Sequence, residues 1–160
     1  MKTMNQSKPW LISALFGGSI YILSSISIPL PGMIPITLMT LGVYISSMLQ
    51  EKKFAVMSIL IFLILGPFAR IPTITGGYLY SLIPASYFIS QMCYQKEKNA
   101  ILSLLFASLL IYTIGTIHFI LMTKSPLMTA LLSCVIPFLP GDCIKIIISV
   151  YINKKIKKYL

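Results

Sequence analysis

Long uncharged stretches separated by short clusters of basic residues set the pattern of this chain. The uncharged stretches are 9–50, 54–69, 71–95, 99–123 and 125–141. A helix that crosses a membrane needs about 20 predominantly apolar residues, so the first stretch is roughly twice as long as one span. Its centre holds Pro29, Pro31, Gly32 and Pro35. Because proline lacks the N–H group that a helix interior requires, these residues divide the stretch into two helices.

The last uncharged stretch is divided in the same way by Pro137 and Pro140. A short segment at 127–136 is predicted to fold back into the protein, and a helix is predicted to restart near Pro140. The pattern therefore predicts an all-α membrane protein with six transmembrane helices in a single domain, residues 1–160. The predicted spans are 10–28, 36–50, 54–69, 76–94, 100–122 and 140–156. The first run is too long for the apolar region of a signal peptide and is expected to be a span.

The positions of the basic residues predict the orientation of these helices. The termini and the even-numbered connections hold ten lysines: Lys2, Lys8, Lys52, Lys53, Lys96, Lys98, Lys154, Lys155, Lys157 and Lys158. The odd-numbered connections hold only Arg70 and Lys124. Cytoplasmic loops carry an excess of Lys and Arg, so both termini are predicted to be cytoplasmic in a multi-pass membrane protein.

Three breaks rich in proline and glycine then fall on the external side, at 29–35, 67–77 and 136–141. Irregular backbone at membrane depth is tolerated only where protein buries it or where it lines a cavity. The sequence therefore predicts an outward-facing pocket covered by loops.

Composition agrees with a membrane setting and narrows the possible functions. Hydrophobic residues make up 57% of the chain and charged residues 10%, whereas a soluble domain carries about 25% charged residues. A net charge of +10 would be compatible with binding to nucleic acid. The basic residues lie between apolar stretches, however, so membrane lipid is the predicted surrounding and no nucleic-acid partner is expected.

The sequence lacks the groups that catalysis, cofactors and metals require. It has no G-x-x-x-x-G-K-[ST] phosphate loop, no H-E-x-x-H motif and no cluster of His, Cys and carboxylate residues. The cysteines Cys93, Cys134 and Cys143 lie in apolar segments and are expected to act as small hydrophobic residues. Asp142 is the one acid outside the cytoplasmic connections, too little for acid–base catalysis. The chain is predicted not to be an enzyme, to hold no cofactor or metal, and to be unable to energise transport by itself.

The strongest candidate for binding chemistry is the stretch I-P-F-L-P-G-D-C-I-K at 136–145. Asp142 falls in the first turn after Pro140, where the helix dipole favours a negative charge, and Lys145 follows on the same face. Each charge at membrane depth costs about 2.5–3.5 kcal/mol, so something must offset it. Either the two residues simply neutralise each other, or they line a polar ligand pocket, the usual role of intramembrane ionisable residues.

Helix one carries two pairs of small residues four apart, Ser13/Gly17 and Ala14/Gly18. Such pairs let another helix approach closely in lipid. The spacing alone fits internal packing as well as the docking of a partner.

Several uncharged polar residues are further candidates for the pocket: Thr37, Thr40, Thr73, Thr75, Tyr78 and Tyr80. Taken singly, each is better explained by a hydrogen bond to its own helix or by a position in an aromatic belt. His118 is a lone histidine near the external end of the fifth span, and we expect a structural role for it.

Three segments, in order, resemble the BioY family, the biotin-specific substrate-binding (S) components of energy-coupling-factor (ECF) vitamin transporters. They are I-P-L-P-G-M-I-P-I-T-L-M-T-L-G-V at 28–43, P-T-I-T-G-G-Y-L at 72–79 and I-P-F-L-P-G-D-C-I-K at 136–145. The resemblance covers about residues 12–156. Met39 stands where the family usually has glutamine, and two residues are inserted into the family's P-T-G-G-Y.

This resemblance implies an ECF S-component fold that binds biotin as a transported ligand. It also implies docking onto a transmembrane coupling subunit with two cytoplasmic ATPases. The small-residue face of helix one would be the docking surface: Ser13, Ala14, Gly17 and Gly18. The coupling subunit and the two ATPases, together the ECF module, would then supply the energy for transport, which this chain cannot supply by itself.

The resemblance also implies that Asp142 and Lys145 contact the ligand. An ionised acid can accept N–H groups of the ureido ring of biotin, and a lysine can donate to its oxygen or its carboxylate. The remaining residues assigned to the substrate site are Thr37, Arg70, Gly76, Gly77 and Tyr78. Arg70 would clamp the carboxylate tail, and the two glycines would permit close approach of the ligand to the backbone.

Two other functions fit the same residues. The chain could be an S component for another small vitamin, or a structural or assembly membrane protein without a ligand. The second alternative requires that the Asp142–Lys145 pair be shielded from external solvent, with no pocket between the three breaks.

Overall fold

The computed structural model of this protein describes residues 7–28, 36–66, 72–94 and 99–158. Within these ranges the chain forms eight α-helices, a 3₁₀ turn and one pair of two-residue strands. In chain order they are α1 (Ser7–Ser25), β1 (Ser27–Ile28), β2 (Ile36–Thr37), α2 (Met39–Leu49), α3 (Lys52–Leu65), α4 (Gly76–Tyr80), α5 (Leu82–Cys93), α6 (Ala100–Thr123), α7 (Leu127–Cys134), the 3₁₀ turn (Ile136–Phe138) and α8 (Leu139–Lys157). The predicted all-helical architecture is confirmed, with the small strand pair as an addition.

The strand pair accounts for the first differences from the predicted helix bounds. Ser27 pairs with Thr37 and Ile28 with Ile36 in an antiparallel register. Backbone groups engaged in this pairing cannot extend a helix, so α1 ends at Ser25 rather than 28 and α2 begins at Met39 rather than 36.

The region predicted as one helix at 76–94 is two helices in the structure. Pro84 cannot donate to the carbonyl of Tyr80, so the helical ladder is interrupted there. Ser81 lies at the break with near-helical dihedrals, φ −64° and ψ −20°. Its hydroxyl donates to the carbonyl of Tyr78, and the chain continues into α5 almost without a turn.

The C-terminal half contains a short folded-back helix, α7, followed by the long helix α8. Lys124 ends α6 in the left-handed conformation, with φ 53°, and its N–H donates to the carbonyl of Ile120. Pro137 lies in the 3₁₀ turn and Pro140 in the first turn of α8, the positions that a residue without an N–H group tolerates.

The outer surfaces of α1, α6 and α8 are strongly apolar. Large hydrophobic side chains are exposed on them, including Leu15, Ile22, Leu121, Ile147 and Tyr151. By length and composition, the stretches Ala100–Thr123 and Leu127–Lys157 could each cross a membrane. A surface this apolar on several helices is typical of a protein surrounded by lipid or by partner helices.

Helix α2 lies at the centre of the packing, against α1, α5 and α8. Tyr44 and Met48 of α2 are fully buried with Phe62 of α3, Leu82 of α5 and Leu104 of α6. Lipid is as apolar as such a core, so close packing and internal hydrogen bonds, rather than water exclusion, stabilise the arrangement.

One cluster of internal hydrogen bonds ties four helices together near the beginning of α1. Gln50, which follows α2, accepts a hydrogen bond from Ser13 of α1 at 2.9 Å. The side-chain amide nitrogen of Gln50 donates to Ser58 of α3 at 2.8 Å. The backbone carbonyl of Gln50 accepts from the hydroxyl of Ser90 of α5 at 2.6 Å. Every one of these side chains is buried. The buried polar groups therefore satisfy one another, as a low-dielectric interior demands.

Candidate functional site

A cavity of about 70 Å³ lies where α2, α4, α5, α6, α7 and α8 meet. Its polar lining consists of Thr37, Thr40, Tyr78, Tyr112, Asp142 and Lys145. Its apolar lining includes Met39, Leu82, Ile111 and Phe138. A concave, mostly apolar site with a few converging polar groups is the usual form of a small-molecule site.

Asp142 and Lys145 form the charged part of this cavity. The start of α8 at Leu139 places Asp142 in its first turn and Lys145 one turn further along the same face. Lys145 Nζ lies 2.8 Å from Asp142 Oδ1, and each residue is only 7% exposed. The structure therefore brings the two predicted residues together as a buried ion pair that lines a cavity.

Two further residues complete a network around the pair. Lys145 Nζ donates to Thr40 Oγ1 of α2 at 3.0 Å, and the hydroxyl of Tyr112 on α6 donates to Asp142 Oδ2. The ion pair is thus held from three helices, which fixes the direction of both side chains.

Within the part of the chain that the structure describes, this network keeps unused hydrogen-bonding capacity. Among the described residues, each oxygen of Asp142 accepts one hydrogen bond, although a carboxylate oxygen has two lone pairs. Lys145 directs two of its three N–H groups to Asp142 and Thr40. The pair can therefore accept two more donors and offer one more N–H to a molecule in the cavity.

Tyr112 was not predicted from the sequence. It belongs to a polar stripe on α6 in which Ser108, Tyr112 and Thr116 recur every fourth residue. Residues four apart share one face of a helix, so the stripe was the available signal. Ser108 hydrogen-bonds Tyr44 at 2.7 Å, which continues the polar face into the core.

The structure places the other assigned substrate residues in three different situations. Thr37 and Tyr78 line the cavity, as does Met39. Gly76 and Gly77 are buried but are not among the described lining residues. A Cβ on Gly77 would overlap the side chain of His118, so its lack of a side chain serves the packing of α4 on α6. Arg70 lies outside the described residues.

Tyr78 connects the cavity to two helices behind it. Its hydroxyl lies 3.4 Å from Thr116 Oγ1 and 3.4 Å from the carbonyl of Cys134. A Cβ on Gly115 would overlap the Tyr78 ring, so the ring lies directly on the backbone of α6. These contacts hold the Tyr78 side chain in place as part of the cavity wall.

The two small-residue pairs of α1 face different surroundings. Ser13 is buried in the Gln50 cluster, and a Cβ on Gly17 would lie 2.8 Å from Ile61 of α3. Ala14 is exposed, and a Cβ on Gly18 would meet no atom of the described ranges within 4 Å. Ser13 and Gly17 therefore pack inside the protein. Of the four small residues, Ala14 and Gly18 lie on the outer surface of α1, where another helix could approach.

A larger open groove of about 570 Å³ lies at the other end of the molecule, between the starts of α1 and α3. Its charged residues are Lys8, Glu51 and Lys53, all exposed. Its buried polar residue, Gln50, is engaged by other protein groups. Among its described lining residues the groove therefore presents no unused buried polar group, and the smaller cavity is the better candidate for ligand binding.

Comparison with known proteins gives consistent results. The profile of the BioY family matches residues 1–160. A biotin transporter BioY from Lactococcus lactis subsp. cremoris (strain MG1363) is 28% identical, over 78% of this chain and 76% of that protein. The crystal structure of the S-component for biotin from an ECF-type ABC transporter superposes with a TM-score of 0.85 at 25% identity. That match covers 99% of this chain and 95% of the solved one.

Proposed function

This chain belongs to the BioY family, and from that premise we propose that it binds biotin as the S component of an ECF transporter. The predicted family and the S-component fold are confirmed. The family consists of membrane transport components, so the chain is not an enzyme, and biotin is its substrate rather than a cofactor. The observation that carries the proposal is the buried Asp142–Lys145 pair, which lines a cavity and retains hydrogen-bonding capacity.

The chemistry of biotin fits the capacity of this pair. The ureido group offers two N–H donors and one oxygen acceptor. Asp142 has free lone pairs for the donors, and Lys145 has an N–H for the oxygen. Hydrogen bonds to ionised groups are roughly twice as strong as neutral ones, so a pair of this kind binds the ring firmly.

The apolar lining fits the remaining part of the ring system. Met39, Leu82, Ile111 and Phe138 would surround the sulfur-containing ring and its hydrocarbon chain. Typical ligand pockets measure about 300–1,000 Å³, so a cavity of about 70 Å³ must widen. We expect side chains of the wall to move outward when biotin enters.

For the rest of the ligand we propose contacts with Thr37 and Tyr78, which line the cavity. The carboxylate tail is assigned to Arg70, which lies outside the described residues, because a guanidinium matches a carboxylate with two parallel hydrogen bonds. Gly77 acts through the packing of α4 on α6, and Gly76 stays a proposed point of close approach between the ligand and the backbone.

The position in the membrane is part of the proposal. We propose six spans in a bacterial inner membrane with both termini cytoplasmic, as the distribution of lysines indicates. Single cysteines near positions 52 and 97 should then react with an impermeant reagent only from the cytoplasmic side. Those near 33, 72 and 124 should react from outside. The opposite pattern of labelling would exclude an outward-facing site.

The binding function is tested by equilibrium binding of labelled biotin to the purified protein. We expect saturable binding at one site per chain, with displacement by unlabelled biotin and not by thiamine or riboflavin. Displacement by another vitamin alone would make the chain an S component for that vitamin. Absence of binding in a folded preparation would favour a structural or assembly role.

We further propose that the chain works with a transmembrane coupling subunit and two cytoplasmic ATPases. The structural relative is the S-component of an ECF-type ABC transporter, and no phosphate-binding loop is present in this sequence. The outer surface of α1 around Ala14 and Gly18, here called the α1 outer face, is the proposed contact with the coupling subunit.

A further inference from the structure

One imidazole joins the turn before α4 to the end of α4, beyond the cavity wall. His118 lies on α6, with Nε2 at 3.0 Å from the carbonyl oxygen of Thr73. Its Nδ1 lies 3.0 Å from the hydroxyl oxygen of Tyr80. The two rings meet edge to face, with centroids 5.5 Å apart at 85°. His118 therefore contacts the chain on both sides of Tyr78.

The chemistry of the partners assigns the proton positions. A carbonyl oxygen can only accept, so Nε2 of His118 carries the hydrogen and donates to Thr73. In the neutral ring Nδ1 is then an acceptor, and the hydroxyl of Tyr80 donates to it. A single neutral tautomer thus satisfies both hydrogen bonds.

Close backbone contact reinforces these bonds. A Cβ on Gly77 would overlap the Cβ of His118 and lie 3.1 Å from the Cα of Gly115. Helix α4 therefore lies directly on α6 at the level of His118. His118 attaches the segment 73–80 to α6 by two hydrogen bonds and by this glycine contact, in addition to the contact of the Tyr78 hydroxyl with Thr116.

The segment held in this way contains one wall of the proposed biotin site. Tyr78 lines the cavity together with Asp142 and Lys145. Thr73 precedes it by five residues and Tyr80 follows it by two, and both are bonded to the same ring. A change in the attachment to His118 would therefore shift Tyr78 relative to the ion pair.

We propose that His118 is a positioning residue for the ligand site, which holds segment 73–80 on α6 so that Tyr78 closes the cavity beside Asp142 and Lys145. This inference rests on the proposed binding of biotin. His118 itself is not among the described residues that line the cavity, so its effect on the ligand is exerted through Tyr78.

Two substitutions separate the hydrogen bonds from the ring contact. Tyr80→Phe removes the bond to Nδ1 and keeps the edge-to-face contact. His118→Phe removes both bonds and keeps an aromatic ring next to Gly77. Tyr151→Phe on α8 is the matched control, because it removes one exposed tyrosine hydroxyl far along the chain from this segment.

The measurement is the dissociation rate of labelled biotin, with the thermal stability of the ligand-free protein recorded in parallel. We expect His118→Phe to accelerate dissociation roughly threefold to thirtyfold and Tyr80→Phe about twofold to fivefold. Tyr151→Phe should match the wild type. A purely structural role would lower thermal stability and leave the dissociation rate of the folded fraction unchanged.

A second measurement follows the segment without any ligand. In a Cys143→Ser background, which removes the exposed native thiol, Thr75→Cys reports access to the segment. We expect its labelling rate to rise when His118 becomes phenylalanine. Should His118→Phe fail to fold, Tyr80→Phe carries both measurements alone.

The outcomes distinguish this inference from the function on which it rests. If the wild type binds biotin and folded variants release it at the wild-type rate, His118 has no positioning role, although the binding function stands. If the wild type does not bind biotin, the proposed function fails and the ligand role of His118 fails with it. Faster release together with faster labelling supports the inference.

Discussion

Replacement of Asp142 by asparagine should weaken biotin binding by roughly tenfold to a hundredfold. The substitution keeps the shape of the side chain and exchanges an ionised acceptor for an amide. Hydrogen bonds to charged groups are worth about 1.5–3 kcal/mol, and about 1.4 kcal/mol corresponds to a factor of ten in affinity. Equilibrium binding of labelled biotin to the purified variant measures the loss. The control is Cys143→Ser. Cys143 follows Asp142 in the chain but is exposed on another side of α8, so this variant should bind biotin with the affinity of the wild type.

Lys145→Met should cause a comparable loss of affinity and also lower stability. Asp142 would keep Tyr112 as a partner but would lose its counter-charge within a buried site. An unpaired buried charge costs several kcal/mol, so a fall in melting temperature is expected as well. A thermal unfolding measurement without ligand separates this effect from the effect on binding.

The double variant Asp142→Asn/Lys145→Met decides between the two explanations of the pair. If the residues only neutralise each other, removal of both charges should restore stability and biotin affinity together. If they bind the ureido group, the double variant should fold well and still bind weakly. Near-normal affinity in the double variant would therefore refute the assignment of the pair to the ligand.

Leucine at position 18 should disrupt assembly with the coupling subunit and leave biotin binding nearly unchanged. A Cβ on Gly18 meets no atom of a described residue within 4 Å, so we expect the protein itself to tolerate the added bulk. At a close helix contact, such bulk costs about 1–3 kcal/mol, which corresponds to roughly a fivefold to hundredfold loss of assembly. Ala14→Leu should behave in the same way, because Ala14 belongs to the α1 outer face.

Two substitutions on the same helix serve as controls for this experiment. Ser19→Leu places the same side chain at an exposed position next in the chain, so assembly should be retained if the contact is specific to the α1 outer face. Gly17→Leu would collide with Ile61, so it should destabilise the protein itself and reduce binding and assembly together. If Gly18→Leu lost biotin binding but assembled normally, the α1 outer face would pack inside the protein instead of against the coupling subunit.

The breaks between helices were predictable because proline and glycine act locally. Pro137 and Pro140 imposed a turn and a helix start, and the spacing of Asp142 and Lys145 then placed both side chains on one face. These inferences needed only the geometry of a single helix. The same holds for the overall class of the fold, which follows from the length and spacing of the apolar stretches.

Contacts between distant parts of the chain were not predictable in this way. Ser13/Gly17 and Ala14/Gly18 have identical spacing, and only the position of α3 shows that the first pair is internal. Gly77 was assigned to the ligand because glycine permits close approach, but the group that approaches it is His118. Tyr112 reaches Asp142 across 30 positions of sequence, a pairing that no local pattern contains.

The buried ion pair also bears on the electrical work of uptake. Asp142 and Lys145 together carry no net charge, and they are the charged side chains among the described residues that line the cavity. The carboxylate of biotin would then be the unbalanced charge of the occupied site, unless Arg70 accompanies it. Inward movement of one negative charge against an inside-negative potential costs about 2.3 kcal/mol per 100 mV. The voltage dependence of uptake would therefore report whether the tail crosses the membrane with a countercharge supplied by this chain.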